Sequence, residues 1–202
     1  CDSHMHIFDR RFAPSPHWPR TPPHAPVAAY QQLQQRLGTA RTVVVTPSTY
    51  GTDNACTLDA LDQFGDSARG VAVVDVAVTD AQLDALAAAG VVGIRLNLIG
   101  KALQDYSGPA WTALFERLAT RGWQVEIQRG IEDLAQIVPA IVATGVNLVI
   151  DHFGLPTGGI DAHKPSHQAF LQLLGNSRVW LKLSAAYRSK TDAVQSAAVL
   201  AQ

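Results

Sequence analysis

His4 and His6 stand two residues apart in Cys1-Asp-Ser-His-Met-His-Ile-Phe8, a stretch that reads as a short apolar strand. Successive strand side chains point to opposite faces, so both imidazoles leave the same face; a helical pair would need a spacing of three or four. Two neutral ring nitrogens placed this way can share a metal ion or grip a polar substrate. The competing readings are a cloning remnant, since Ser-His-Met is a common scar, and two surface histidines near a terminus.

The residues that must position this pair come from a repeating pattern. Runs rich in β-branched residues recur at 3–8, 41–46, 69–76, 91–98, 123–128, 146–152 and 179–184, each bounded by Gly, polar residues or a turn. Between them lie segments with apolar residues at helical spacing: Leu58, Leu61 and Phe64; Leu83, Leu86 and Ala87; Trp111, Leu114, Phe115 and Leu118; Leu134, Ile137, Val138 and Ile141. Thr79 opens one such segment as a cap, Pro109 starts another, and Gly90 and Gly122 close two. Strands alternating with helices, with apolar strands throughout, predict a parallel sheet covered by helices. An eight-stranded barrel and an open doubly wound sheet both satisfy that pattern.

Polar residues cluster where the strands end: His4 and His6, Thr46 to Tyr50, Arg95 and Asn97, Gln128 and Arg129, Asp151 and His152, Lys182 and Ser184. Many strand ends contributing chemistry favours the barrel, whose mouth is built from all of them, whereas an open sheet uses mainly its switch point. No GxGxxG follows the first strand, which argues against dinucleotide binding. His152 ends an apolar strand, so alternation sends it into the mouth and turns Asp151 toward the helices; the competing reading is a core histidine bonded to backbone. Arg95 is a candidate carboxylate clamp, because guanidinium pairs bidentately with carboxylate and keeps its charge; a rim salt bridge is the alternative. Arg188 is a second clamp candidate. Tyr50 is a candidate hydrogen-bond donor to a substrate acid, although its Pro47-Ser-Thr-Tyr-Gly51 setting is what any turn looks like. Lys182 and Ser184 share a parity and are expected to point inward; a place among barrel-interior polar contacts is the alternative for Lys182. His17, His24, His163 and His167 lie in loops or near helix starts and receive no role.

Composition narrows the classes. The chain has 202 residues, 47% hydrophobic and 16% charged, with net charge −1 and the two signs interspersed. Length and apolar content predict one domain over residues 1–202. Nothing resembles the basic footprint of a nucleic-acid protein, and no apolar run approaches the roughly 20 residues of a membrane span. Cys1 and Cys56 make neither a CxxC motif nor a disulfide framework, and no signal peptide precedes the first strand, so a reducing cytoplasm is the expectation. The Pro-rich stretch 14–26 reads as an extended loop that lids the mouth. Oligomeric state leaves no mark in the sequence.

Five segments in order, Asp2-Ser-His-Met-His-Ile-Phe8, Thr46-Pro-Ser-Thr-Tyr-Gly-Thr-Asp-Asn54, Gly93-Ile-Arg-Leu-Asn97, Val149-Ile-Asp-His-Phe-Gly-Leu-Pro156 and Val179-Trp-Leu-Lys-Leu-Ser-Ala-Ala-Tyr-Arg188, resemble the 2-pyrone-4,6-dicarboxylate lactonase group of the amidohydrolase superfamily. The resemblance implies a (β/α)8 TIM-barrel-like fold of the metal-dependent-hydrolase type. It also implies hydrolysis of a small carboxylated lactone in aromatic-acid or sugar-acid breakdown. His4, His6 and His152 would be catalytic, with Arg95, Arg188, Tyr50 and Lys182 binding substrate.

That group works without a metal, so no cofactor is expected, while other superfamily members hold a divalent ion. Zinc or manganese on His4, His6 and His152 is therefore the alternative. The fifth strand, where such enzymes carry a further ligand, ends Glu126-Ile-Gln128; glutamine is a poor ligand, and Glu126 would serve only with its register shifted by two. Family members continue into an eighth strand ending in a Gly-Ser-Asp-Trp-like segment whose aspartate is the general base or a metal ligand. This sequence stops at Gln202 in an Ala-rich helical stretch without such an Asp. The expectation is a barrel incomplete at the C-terminus, lacking the last β/α unit, whose hydrolytic competence is then in question. A metal-dependent decarboxylase or hydrolase, and a non-catalytic acid-binding fragment, are the alternatives to the lactonase reading.

Overall fold

The computed structural model describes residues 1–189 and 193–201; Gln202, where the Ala-rich stretch ends, lies outside them. The chain divides into two compact units, residues 1–95 and 96–202.

The first unit holds β1 (Asp2–Met5), α1 (Val27–Leu37), β2 (Thr42–Val45), α2 (Ala55–Phe64), β3 (Ala68–Ala72), α3 (Asp80–Ala88) and most of β4 (Val91–Asn97). Each of its strands pairs in parallel with the next: β1 with β2, β2 with β3, β3 with β4. Parallel pairing needs a crossover, and the helices supply it, so the strands are covered and their apolar residues buried. Val44, Val45, Val71, Ala72 and Ile94 are fully enclosed. Helix and sheet approach closely at Gly70, where a Cβ would stand 2.6 Å from Leu61 Cδ1. α3 begins with a capping box, in which Thr79 Oγ1 accepts from Gln82 N and Gln82 Oε1 accepts from Thr79 N at 2.9 Å.

The second unit holds α4 (Pro109–Thr120), β5 (Gln124–Gln128), α5 (Ile131–Val142), β6 (Asn147–Ile150), α6 (Pro165–Leu173), β7 (Val179–Leu181) and α7 (Ala193–Leu200). β5 pairs in parallel with β6, and β6 with β7. α5 buries Ile131, Leu134, Ile137, Val138 and Ile141, the stripe its spacing predicts. Burial of each such side chain contributes roughly 1.5–3 kcal/mol.

All seven expected strands are present, most of them shorter at the C-terminal end than the apolar runs. The physical reason is visible at β6, which stops at Ile150 because the backbone turns left-handed from His152 onward. Gly90 (φ 91°) and Gly122 (φ 67°) each follow the last helical residue by two, in the left-handed turn that ends the helix. Among the described residues no helix is long and apolar enough to cross a membrane. Cys1 and Cys56 are both free thiols.

Candidate active site

The first unit gathers chemistry at β1. Met5 and Ile7 face the core while His4, His6 and Phe8 are half-buried on the other side, as alternation demands. His4 Nε2 and His6 Nε2 stand 3.4 Å apart. His6 Nδ1 lies 2.7 Å from Val45 O, a carbonyl that only accepts, so Nδ1 carries the proton and a neutral ring presents a bare Nε2. His4 is held through its backbone, where N donates to Asp2 Oδ1 at 3.1 Å, and Asp2 is in turn fixed by the Tyr30 hydroxyl at 2.9 Å.

Two imidazole nitrogens bound to one tetrahedral zinc at 2.0–2.1 Å would be about 3.3 Å apart. The β1 pair therefore fits a divalent ion. It fits equally a shared proton, with His4 Nε2–H donating to His6. Arg95, on β4, is 4% exposed. A guanidinium buried that far stays charged and requires acceptors facing it. Tyr50 sits in a 3-10 turn, Ser48–Tyr50, with its ring tilted against Phe8 and its hydroxyl accepting from Asp9 N at 3.2 Å. Burial, foremost, holds the Tyr50 phenol well above its usual range; contact with the Cys56 thiol adds to this, and burial raises the Cys56 thiol too. Asn54, quoted within a motif but assigned no role, fastens the β2 and β3 ends: Nδ2 donates to Val73 O and Oδ1 accepts from Val73 N, both at 2.9 Å, and from Thr46 Oγ1. A cleft of about 710 Å³ in this unit, between α2 and α3, is lined by Asn54, Leu58, Val73 and Leu86 and by none of the expected site residues.

The second unit gathers a denser group. Lys182, 8% exposed and just past β7, donates to Glu126 Oε2 on β5 and lies 3.5 Å from Asp151 Oδ1 past β6. Both carboxylates are fully buried. This corrects the expected orientation of Asp151: it turns toward Lys182, and one of its oxygens lies within 4.8 Å of a His152 ring nitrogen. Strand alternation does not reach these two residues, because β6 has already ended. Glu126, set aside in the sequence on register grounds, is the buried counter-charge of Lys182, a partnership visible in the sequence only as two charges inside apolar strands.

His152 Nδ1 stands 2.9 Å from Ser184 Oγ. Arg188 is exposed, with its guanidinium 5.8 Å from the centre of the Tyr187 ring. Arg129, at the end of β5, fastens loops instead: its Nη1 donates to Leu98 O and Lys101 O, and its Nε to Asp133 at 2.6 Å. His167, given no role, is buried in α6, where Nδ1 accepts from Asp161 N at 2.9 Å. Within the first unit the structure thus joins His4 to His6, and within the second it joins His152 to Ser184 and Lys182 to Glu126 and Asp151, while Arg188 stands apart on the surface.

The alternation of parallel strands and helices, with polar side chains at the strand ends, defines the (β/α)8 TIM-barrel-like class of the metal-dependent-hydrolase type. A solved structure described as a probable 2-pyrone-4,6-dicarboxylic acid hydrolase of Acinetobacter baumannii, with citric acid bound, shares it at TM-score 0.87 and 32% identity, over 93% of this chain and 71% of that one. Residues 1–201 match the Amidohydrolase family, and the chain belongs to it. Among curated relatives, the 2-pyrone-4,6-dicarboxylate hydrolase of Comamonas testosteroni is 34% identical over 91% of this chain and 61% of its own length. The 4-sulfomuconolactone hydrolase of Rhizobium radiobacter is 30% identical over 93% and 64%. The chain thus spans about three fifths of the length of these relatives.

Proposed function

We propose that this chain carries the substrate-polarising part of a lactone hydrolase acting on a small carboxylated ring such as 2-pyrone-4,6-dicarboxylate. The observation that carries the reading is the pair of imidazole edges 3.4 Å apart on β1, with the tautomer of His6 set by a backbone carbonyl. The names of the relatives, hydrolases of two carboxylated or sulfonated lactones, and the citrate in the solved relative support the substrate class.

Ring opening needs water delivered to the carbonyl carbon and stabilisation of the oxyanion that develops. On this reading His4, His6 and His152 act on the carbonyl, His6 donating from Nε2 in its protonated form because its Nδ1–H is already given to Val45 O. Arg95 clamps a substrate carboxylate, and the buried position that lowers the local dielectric strengthens that pairing. Arg188 and Tyr50 are each candidates to bind a substrate acid, and Lys182 acts on substrate through the carboxylates it neutralises. A divalent ion, if held by His4 and His6, would supply Lewis-acid polarisation of the same carbonyl. The runner-up is an acid-binding module without turnover, for which the citric acid held by the solved relative speaks.

An absorbance assay for ring opening of 2-pyrone-4,6-dicarboxylate, run beside calorimetry, tests the proposal. Turnover that is lost in His152→Asn supports it. Binding without turnover favours the acid-binding module, and absence of both contradicts the substrate class.

A further inference from the structure

Four consecutive residues after β6, His152 (φ 54°), Phe153 (φ 58°), Gly154 (φ 72°) and Leu155 (φ 49°), lie in the left-handed region. Three of them carry side chains. Each non-glycine residue held there costs on the order of 1 kcal/mol or more, and such conformations persist only where the surroundings enforce them. Here Phe153 N donates to Lys182 O at 3.0 Å, Gly154 N to Asp151 O at 3.0 Å and Leu155 N to His152 O at 2.9 Å. The Phe153 ring is buried. At Gly154 a Cβ would meet the Phe170 ring at 3.0 Å and Leu134 at 3.3 Å, so the turn is packed directly on α5 and α6.

The turn changes what His152 presents. In an extended strand its ring direction would follow parity; in the left-handed turn Nδ1 comes to 2.9 Å from Ser184 Oγ. A serine hydroxyl can donate to a bare ring nitrogen or accept from a protonated one, and the two cases leave opposite chemistry at Nε2. The hydrogen bond recorded for Ser184 Oγ is the one with His152 Nδ1, and a hydroxyl proton directed along it leaves the ring proton on Nε2.

We infer that Ser184 is a positioning residue, donating its hydroxyl proton to His152 Nδ1 and so fixing His152 as the Nε2–H tautomer, a hydrogen-bond donor toward substrate and not a metal ligand through that nitrogen. The inference rests on the proposed role of His152 and deepens it, because the tautomer separates direct polarisation of a carbonyl from coordination of an ion. The strained turn is the device that brings the ring within reach of β7's following segment.

The test is 15N–1H NMR of the histidine rings in the full chain, with the His152 signals assigned by their loss in His152→Asn, beside kinetics of lactone opening. The expected result is a neutral His152 protonated at Nε2 in the parent chain, and a mixture of tautomers in Ser184→Ala. With it, kcat falls roughly 10–100-fold while KM stays within about twofold, and Ser184→Thr, which keeps the hydroxyl, restores both the spectrum and most of kcat. A parent ring protonated at Nδ1, or a Ser184→Ala spectrum identical to the parent's, overturns the inference. Should the parent chain open no lactone and still show the Ser184-dependent Nε2–H ring, the functional proposal falls and the positioning role stands.

Discussion

At the residue scale the second unit is organised by one cation. Lys182 lies between Glu126 and Asp151, all three buried. Removing one partner of such a group leaves an uncompensated buried charge, which typically costs 3–5 kcal/mol, whereas replacing charge and counter-charge together costs far less. Lys182→Met is therefore expected to lower stability by about 3–5 kcal/mol in urea unfolding, and Lys182→Met combined with Glu126→Gln to recover a substantial part of the loss. Equal losses in the single and the double variant would contradict the pairing. The histidine pair on β1 was legible in the sequence because a spacing of two has one geometric meaning in a strand. Asp151 was not, since its direction depends on a backbone reversal one residue later. Glu126 reads in the sequence only as a ligand out of register; its counter-charge comes from a residue 56 positions along, just past β7.

At the element scale the strands and most helices could be read from apolar periodicity, and the caps from single residues, Thr79 above all. α1 and α6 escaped, and the structure shows why. α1 buries only Val27 and Tyr30 and leaves Leu33 and Leu37 exposed, so its apolar stripe is thin; α6 buries a histidine where a periodic pattern would carry an aliphatic residue. The left-handed turn after β6 also left little trace: of its four residues only Gly154 is a type that prefers such angles. That glycine is where the turn is most sensitive. Gly154→Ala adds a Cβ both to a left-handed residue and against the Phe170 ring at 3.0 Å. The expected loss is about 1–3 kcal/mol, a fall in Tm of several degrees by calorimetry. A melting temperature unchanged within about 1 °C would mean that the turn is not enforced as described.

At the scale of the whole molecule, membership of the amidohydrolase family and the barrel class rest on nearly the full chain, residues 1–201 for the family match. The response to pH follows from buried neutral acids. The Tyr50 phenol and the Cys56 thiol both hold their protons beyond their ordinary values of 10.0 and 9.0, chiefly through burial. Groups whose folded-state values are raised stabilise fully below their unfolded values, and that contribution is lost as pH rises through the folded ones. Stability in urea should accordingly fall as pH rises above about 9, and Cys56→Ala should flatten that fall. An unchanged slope would remove Cys56 from the account.

The proposal that a buried guanidinium on β4 holds the carboxylate of a lactone substrate is tested by titration calorimetry of the chain and of Arg95→Met with 2-pyrone-4,6-dicarboxylate and with its neutral dimethyl ester. A lost charged hydrogen-bonded contact of roughly 1.5–3 kcal/mol predicts dicarboxylate binding weaker by about 10–150-fold in the variant, with the ester's affinity within about twofold of the parent's. Equal losses for acid and ester, or no loss for either, would contradict it.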